Sequence, residues 1–206
     1  MTSQTTKDSL DYVLSSPEFV ELSDCELWKI DLKYAGKDNF MAEDVYKEFN
    51  RAFLHRHAAA KLNSAAQNLK SMHRNYKFLI YDVLRPRSVQ WKMWNKVKGT
   101  EEQQYIANPE NGSNHNFGMA IDLTVLDDNS QTLDMGTAFD EFTLCSQPKL
   151  EARFIEEGRL TEEHLKNRRL LRECMEKAGF KQLSTEWWHF DALPRAEIRQ
   201  NYRIVE

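Results

Sequence analysis

Two short segments, far apart in the chain, set the strongest constraint on how it can fold. Residues 113–122 read SNHNFGMAID and residues 186–190 read EWWHF. Between them they carry two histidines, His115 and His189, one carboxylate, Asp122, and a further acid, Glu186, three positions before His189. Two imidazoles and a carboxylate are a sufficient protein ligand set for a catalytic zinc ion that keeps one position open. If these three side chains hold one ion, the two segments must lie side by side, and the ion staples them together and adds to folding stability. The alternative is two ordinary histidines satisfied by hydrogen bonds, and spacing alone leaves both readings open.

Local patterning tells how the segments would be presented. In GMAIDLTV, residues 118–125, Met119, Ile121, Leu123 and Val125 point one way and Ala120, Asp122 and Thr124 the other, which predicts a strand with Asp122 on its small, polar face. His115 precedes that strand. YKFLIYDV, residues 76–83, is a nearly continuous apolar run suited to a central strand. Pro86 ends it and holds Arg85 extended, at a strand end from which the side chain can reach a cleft; a surface arginine is the alternative. Two histidines and one carboxylate leave a divalent ion net cationic and therefore a Lewis acid. Beside it, Glu186 suits a general base that takes a proton from an attacking water and returns it to a leaving amine. Arg85 suits the oxyanion that would develop on a peptide carbonyl.

The remaining elements follow from periodicity. ELWKIDLK, residues 26–33, alternates, with Trp28, Ile30 and Leu32 on one face of a predicted strand. Residues 42–49 and 51–73 read as helix, the second with a stripe of Leu54, Ala58, Leu62, Ala65, Leu69 and Met72. His55 and His57 are two apart, share no helical face and read as surface residues. Residues 88–97 make a short amphipathic helix on Val89, Met93 and Val97, with Trp91 and Trp94 as core packing. Residues 162–178 make another, with Thr161 as N-cap and Gly179 just past its end. Residues 180–183 and 187–191 read as strands, while 99–112, 133–142 and 147–161 read as loops. That order predicts an α+β fold, a mostly antiparallel sheet with helices packed on one side. The 206 residues suffice for one domain with a real core, residues 1–206, of which the polar residues 1–9 are expected to be loose.

Composition narrows the partners. With 28 basic and 32 acidic residues and a net charge of −4, no global basic field points to nucleic acid. No run approaches the ~20 apolar residues of a membrane span, and the polar N-terminus lacks a secretory core, so the cytoplasm is the expected location. Cys25, Cys145 and Cys174 are odd in number and form no C-x-x-C pair, which fits reduced thiols.

The pattern S-x-H-x-x-G-x-A-x-D over Ser113 to Asp122, with E-x-x-H over Glu186 to His189, resembles the zinc D-alanyl-D-alanine dipeptidases, relatives of the D-Ala-D-Ala carboxypeptidases and the hedgehog-type zinc folds. DLKYAGKDNF (31–40), YDVLRPRSVQ (81–90), LDMGTAFDEF (133–142) and NRRLLRECMEKAGF (167–180) resemble the dipeptidase branch in particular. The resemblance implies one Zn²⁺ per chain on His115, Asp122 and His189, Glu186 as base and Arg85 as transition-state stabiliser. It also implies Ser113 and Asp140 as substrate contacts, Asp82 contacting or orienting the site, and hydrolysis of a small D,D-dipeptide. An aspartate such as Asp140 suits a dipeptide's free ammonium. A homodimer is allowed by family analogy. The family's roles divide between glycopeptide resistance and recycling of cell-wall dipeptide. One departure is Leu84, where the family often has an aromatic residue before the arginine. Two other functions remain open at this point: a peptidoglycan D,D-carboxypeptidase or endopeptidase with the same ion, and a non-catalytic zinc-stapled binding protein.

Overall fold

The computed structural model describes residues 3–206. It contains helices α1 (Ser3–Ser15), α2 (Arg56–Met72), α3 (Arg87–Val97), α4 (Glu151–Glu156), α5 (Glu162–Lys177) and α6 (Arg195–Asn201). The strands are β1 (Phe19–Leu22), β2 (Trp28–Ile30), β3 (Ala52–His55), β4 (Lys77–Asp82), β5 (Ala120–Leu126), β6 (Lys181–Gln182) and β7 (His189–Asp191). A five-stranded sheet runs in the order β2-β4-β5-β7-β6, and β1 pairs with β3 in a separate two-stranded sheet.

The fold is α+β, but the larger sheet is mixed. β2 runs parallel to β4, and the other pairings are antiparallel. A parallel pair needs a long crossover, and here β3 and α2 lie between the two strands in sequence. The alternation in β5 sorts its side chains as expected. Ile121, Leu123 and Val125 join Phe78 and Ile80 of β4 in one cluster with Leu62, Leu69, Leu171 and Met175 of α2 and α5. Asp122 and Thr124 turn to the opposite face and are nonetheless buried. No helix among the described residues is long and apolar enough to cross a membrane.

Several local expectations change. Residues 42–49 are not helical; Ala42 and Lys47 have φ of 56° and 53°, which a right-handed helix does not admit. The front of the expected 51–73 helix is β3, because β1 offers it an edge, with Phe19 opposite His55 and Leu22 opposite Ala52. His55 is therefore buried, and its Nδ1 accepts from the His57 amide at 3.3 Å as the cap of α2. Trp91 and Trp94 are half-buried rather than core. The stretch 147–161 contains α4, and α6 follows β7 unannounced. Residues 3–9 begin α1; the looseness expected at residues 1–2 falls outside the described residues. Val13 of α1 packs with Phe49, Phe53, Leu84 and Val205, so Leu84 fills space beneath this helix.

Two positions yield tests. Gly118 closes the His115 turn with φ +64°, and a Cβ there would meet the backbone nitrogen of His55 at 2.8 Å. Gly99 has φ +83° with nothing within 4 Å. Gly99→Ala should cost only the left-handed strain, about 1–2 kcal/mol. Gly118→Ala should cost about 1–3 kcal/mol more, from the added overpacking. Urea titrations giving equal losses would show that the approach of β3 carries no penalty. Burial, reinforced by His57, lowers the pKa of His55 from 6.5 to about 4. The unfolded chain therefore takes up a proton that the fold refuses, and stability present above pH 6.5 is lost as pH falls toward 4. His55→Gln should flatten that part of the stability–pH curve; an unchanged slope would remove His55 as its source.

Candidate active site

Strand register brings the separated segments together. Asp122 of β5 lies opposite His189 of β7 on one side and, past an irregularity, opposite Asp82 of β4 on the other. His115 arrives from a 3-10 turn, Asn114–Phe117, that begins at Ser113: the serine hydroxyl accepts from the His115 amide at 3.4 Å, and Asn116 Oδ1 accepts from the Ser113 amide at 2.7 Å. This turn is tied to the Arg85 segment twice. The Arg85 amide donates to His115 O at 3.1 Å, and Asn116 Nδ2 donates to Arg85 O at 2.7 Å.

The donor atoms of His115, Asp122 and His189 all lie within 4.8 Å of one another and are buried. His115 Nε2 is 3.1 Å from His189 Nδ1 and 3.3 Å from Asp122 Oδ2, and His189 Nδ1 is 3.0 Å from Asp122 Oδ1. The outer ring nitrogens are already engaged by acceptors. His115 Nδ1 faces Val83 O at 2.7 Å, and His189 Nε2 faces Asp191 Oδ1 at 2.9 Å. A carbonyl and a carboxylate accept only, so each outer nitrogen carries hydrogen, and a neutral ring then turns a bare lone pair inward. Two such lone pairs converging on a carboxylate repel one another unless a cation sits among them, so this donor set fits a zinc-like ion. The carboxylates draw positive charge to this point, so that a proton on His189 competes with a metal ion for it. Burial disfavours the His189 imidazolium, yet Asp191 and Asp122 raise its pKa well above the ordinary value. Burial also opposes ionisation of Asp122, and the two histidines overcome it and hold its pKa low.

The other expected residues take distinct places. Glu186 is buried at the cavity wall, 3.9 Å from His189 Nδ1, and burial pushes its pKa to about 7. Arg85 is buried and directed by three bonds: Nε and Nη2 donate to Asp82 Oδ2 at 2.9 and 2.6 Å, and Nη1 to Gln90 Oε1 at 2.9 Å. Its Nη2 lies 3.7 Å from Asp122 Oδ2, and the guanidinium sits 5.0 Å from the Tyr34 ring centre. Ser113 and Asp140 line the same cavity, of about 220 Å³, which is below the ~300–1,000 Å³ typical of drug-sized ligands. Asp140 is held by the Tyr34 hydroxyl, 2.9 Å from each carboxylate oxygen, and burial raises its pKa well above the usual range. A wider groove, about 770 Å³, lies against another side of the Asp140 loop and contains none of the three clustered ligands.

Of the two roles expected for Asp82, contacting or orienting the site, its position fits the second and not a substrate contact. It is fully buried and absent from the cavity lining, and its oxygens are taken by Arg85 and the Tyr46 hydroxyl. It orients Arg85 from behind. Sequence reasoning passed over Asp191, Tyr34, Tyr46 and Gln90. A signal existed for Asp191, since two residues on from His189 in a strand means the same face. Tyr34 and Tyr46 carried none, because they reach the site from irregular segments.

An α+β scaffold that buries a His-Asp-His set beside an acid and an arginine, in a small cavity, has the construction of a metal-dependent hydrolase. Comparison with known proteins narrows the class: residues 19–205 match the family described as D-ala-D-ala dipeptidase, and the chain belongs to this peptidase family. It is similar to the D-alanyl-D-alanine dipeptidase of Escherichia coli (strain K12), 36% identical over 171 residues, covering 82% of this chain and 80% of that protein. The namesake from Synechocystis sp. is 29% identical over 160 residues, covering 63% and 65%, and that from Enterococcus faecalis 29% over 177 residues, covering 78% and 83%.

The outer partner of His189 can be tested. Asp191→Ala should weaken zinc affinity, measured by chelator competition, about 10–100-fold, and Asp191→Asn, which keeps an acceptor, should lose less. Unchanged affinity in both would show that Asp191 does not orient the ring.

Proposed function

We infer that this chain hydrolyses D-Ala-D-Ala to two D-alanines, with one Zn²⁺ held by His115, Asp122 and His189. The observation that carries the reading is the convergence of two outward-anchored imidazoles and a carboxylate in a chain that belongs to the dipeptidase family. When bound, zinc supplies Lewis acidity and makes water acidic near neutral pH.

The chain's own groups supply the rest. Glu186, whose pKa burial brings to about 7, takes the proton of the attacking water and delivers it to the leaving amine. Arg85, fixed by Asp82 and Gln90, turns its charge toward the oxyanion as it develops, without having to reorganise. Asp140 takes the substrate ammonium, whose charge favours the carboxylate form that burial opposes. Ser113 lines the cavity beside His115.

The small cavity favours a free dipeptide over the long chains of a peptidoglycan carboxypeptidase or endopeptidase. A buried base and arginine beside the ligand set argue against a non-catalytic staple. Three unpaired cysteines, Cys25, Cys145 and Cys174, support a reducing compartment such as the cytoplasm.

The deciding experiment is D-alanine release from D-Ala-D-Ala by purified protein, with chelator and with restored zinc. Release that chelator abolishes and zinc restores is expected; none from zinc-loaded protein would overturn the reading. Glu186→Ala should retain about one zinc per chain while turnover drops about 10²–10⁴-fold, and a fully active variant would reject Glu186 as the base.

A further inference from the structure

A free dipeptide carries a carboxylate as well as an ammonium, and this inference rests on the dipeptidase reading above. Asp140 answers the ammonium, which leaves the carboxylate to a cation in the same cavity. The lining offers four candidates: Arg85, His115, His189 and Arg195. Arg85, held by Asp82 and Gln90, faces the oxyanion in that reading, and the two histidines belong to the metal set. Arg195 is different. It is exposed at the cavity's edge, on the first residue of α6, and among the described residues no carboxylate lies within ion-pair distance of it.

Its position is built rather than incidental. Four residues earlier, Asp191 holds His189. Helix α6 packs against the turn that carries His115, and Arg199, one turn beyond Arg195, donates to Gly112 O at 3.3 Å. Arg195 thus belongs to the wall formed by β7, α6 and the His115 turn. Asp140 hangs from Tyr34, which follows the edge strand β2. The two charges come from different walls with the ligand cluster's strands between them in the sheet order. A guanidinium pairs with a carboxylate through two parallel hydrogen bonds, which fixes orientation as well as charge.

We propose that Arg195 binds the C-terminal carboxylate of the dipeptide and, with Asp140 on the ammonium, sets the substrate length that the cavity accepts. An N-terminal extension removes the ammonium and a C-terminal extension moves the carboxylate, so either forfeits one charged contact.

The test compares zinc-loaded wild-type protein, Arg195→Ala and Arg195→Lys on D-Ala-D-Ala and on its C-terminal amide. The wild type should prefer the free acid about tenfold in kcat/KM, as suits one charge-assisted contact. Arg195→Ala should erase that preference through a higher KM for the acid, with kcat and the amide's constants changed less than twofold; Arg195→Lys should keep part of it. A free-acid preference that survives in Arg195→Ala, or equal losses on both substrates, overturns the assignment while leaving the dipeptidase reading intact. Wild-type protein inert on the free dipeptide overturns the reading and the assignment together.

Discussion

The pairing of β5 with β7 is the constraint on which this site depends. Asp122 faces His189 across one ladder, and a slip of one residue would turn every side chain of β7 to the opposite face of the sheet. The core makes such a slip costly, because Phe190 is wholly buried in the main cluster with Ile121 and Leu123. Hydrophobic packing on one face therefore fixes the register of ligands on the other. The third ligand is not on a strand, and its place depends on backbone bonds instead: the His115 turn is locked to Arg85, and Val205 bridges the two segments by donating to Asn116 O and accepting from the Arg87 amide, both at 2.8 Å.

Behind the ligands lies a second set of buried charges that aims the first. Breaking a buried ion pair by removing one partner costs about 3–5 kcal/mol, so the Asp82–Arg85 pair is a rigid unit rather than an adaptable one. Tyr46 and Gln90 add hydrogen bonds to that pair, as burial requires, and leave two guanidinium N–H groups of Arg85 free to donate. The aim of Arg85 is settled before any substrate arrives. His189 has the same logic in Asp191, and His115 has it in a backbone carbonyl, which no side-chain substitution removes.

What was legible in the sequence is what periodicity and capping encode. β5 is readable from the alternation of Met119 to Val125 and α5 from Thr161 and Gly179, and the segments bearing His115, Asp122 and His189 stand out as motifs. What was not legible depends on partners distant in sequence. Residues 52–55 continue a helical apolar stripe, and only the edge of β1 makes them a strand. α1 buries Thr6 and Ser9 as well as Val13, so its inward face is too polar to be read as one. Tyr34 under the Arg85 guanidinium and Tyr46 on Asp82 come from irregular segments, where no periodicity marks a residue as facing the site. The family resemblance carried Asp140 to the site, where spacing alone had nothing to say about it.

Three carboxylates in this cavity illustrate how surroundings, rather than residue type, assign chemistry. Asp122 lies between two imidazoles, and they keep it ionised against the cost of burial. Asp140 has a phenol as its hydrogen-bond donor, and burial prevails, so it gains most from an arriving cation. Burial pushes the pKa of Glu186 up to about 7, with His189 pulling it down and Asp122 pushing it further up. A ligand should stay charged, a cation receptor should respond to its guest, and a base should exchange protons near the working pH. Each requirement is met by the packing around the group. Substitutions in that packing, at Tyr34, Asp191 or Arg85, therefore act on the chemistry as directly as substitutions of the acids themselves.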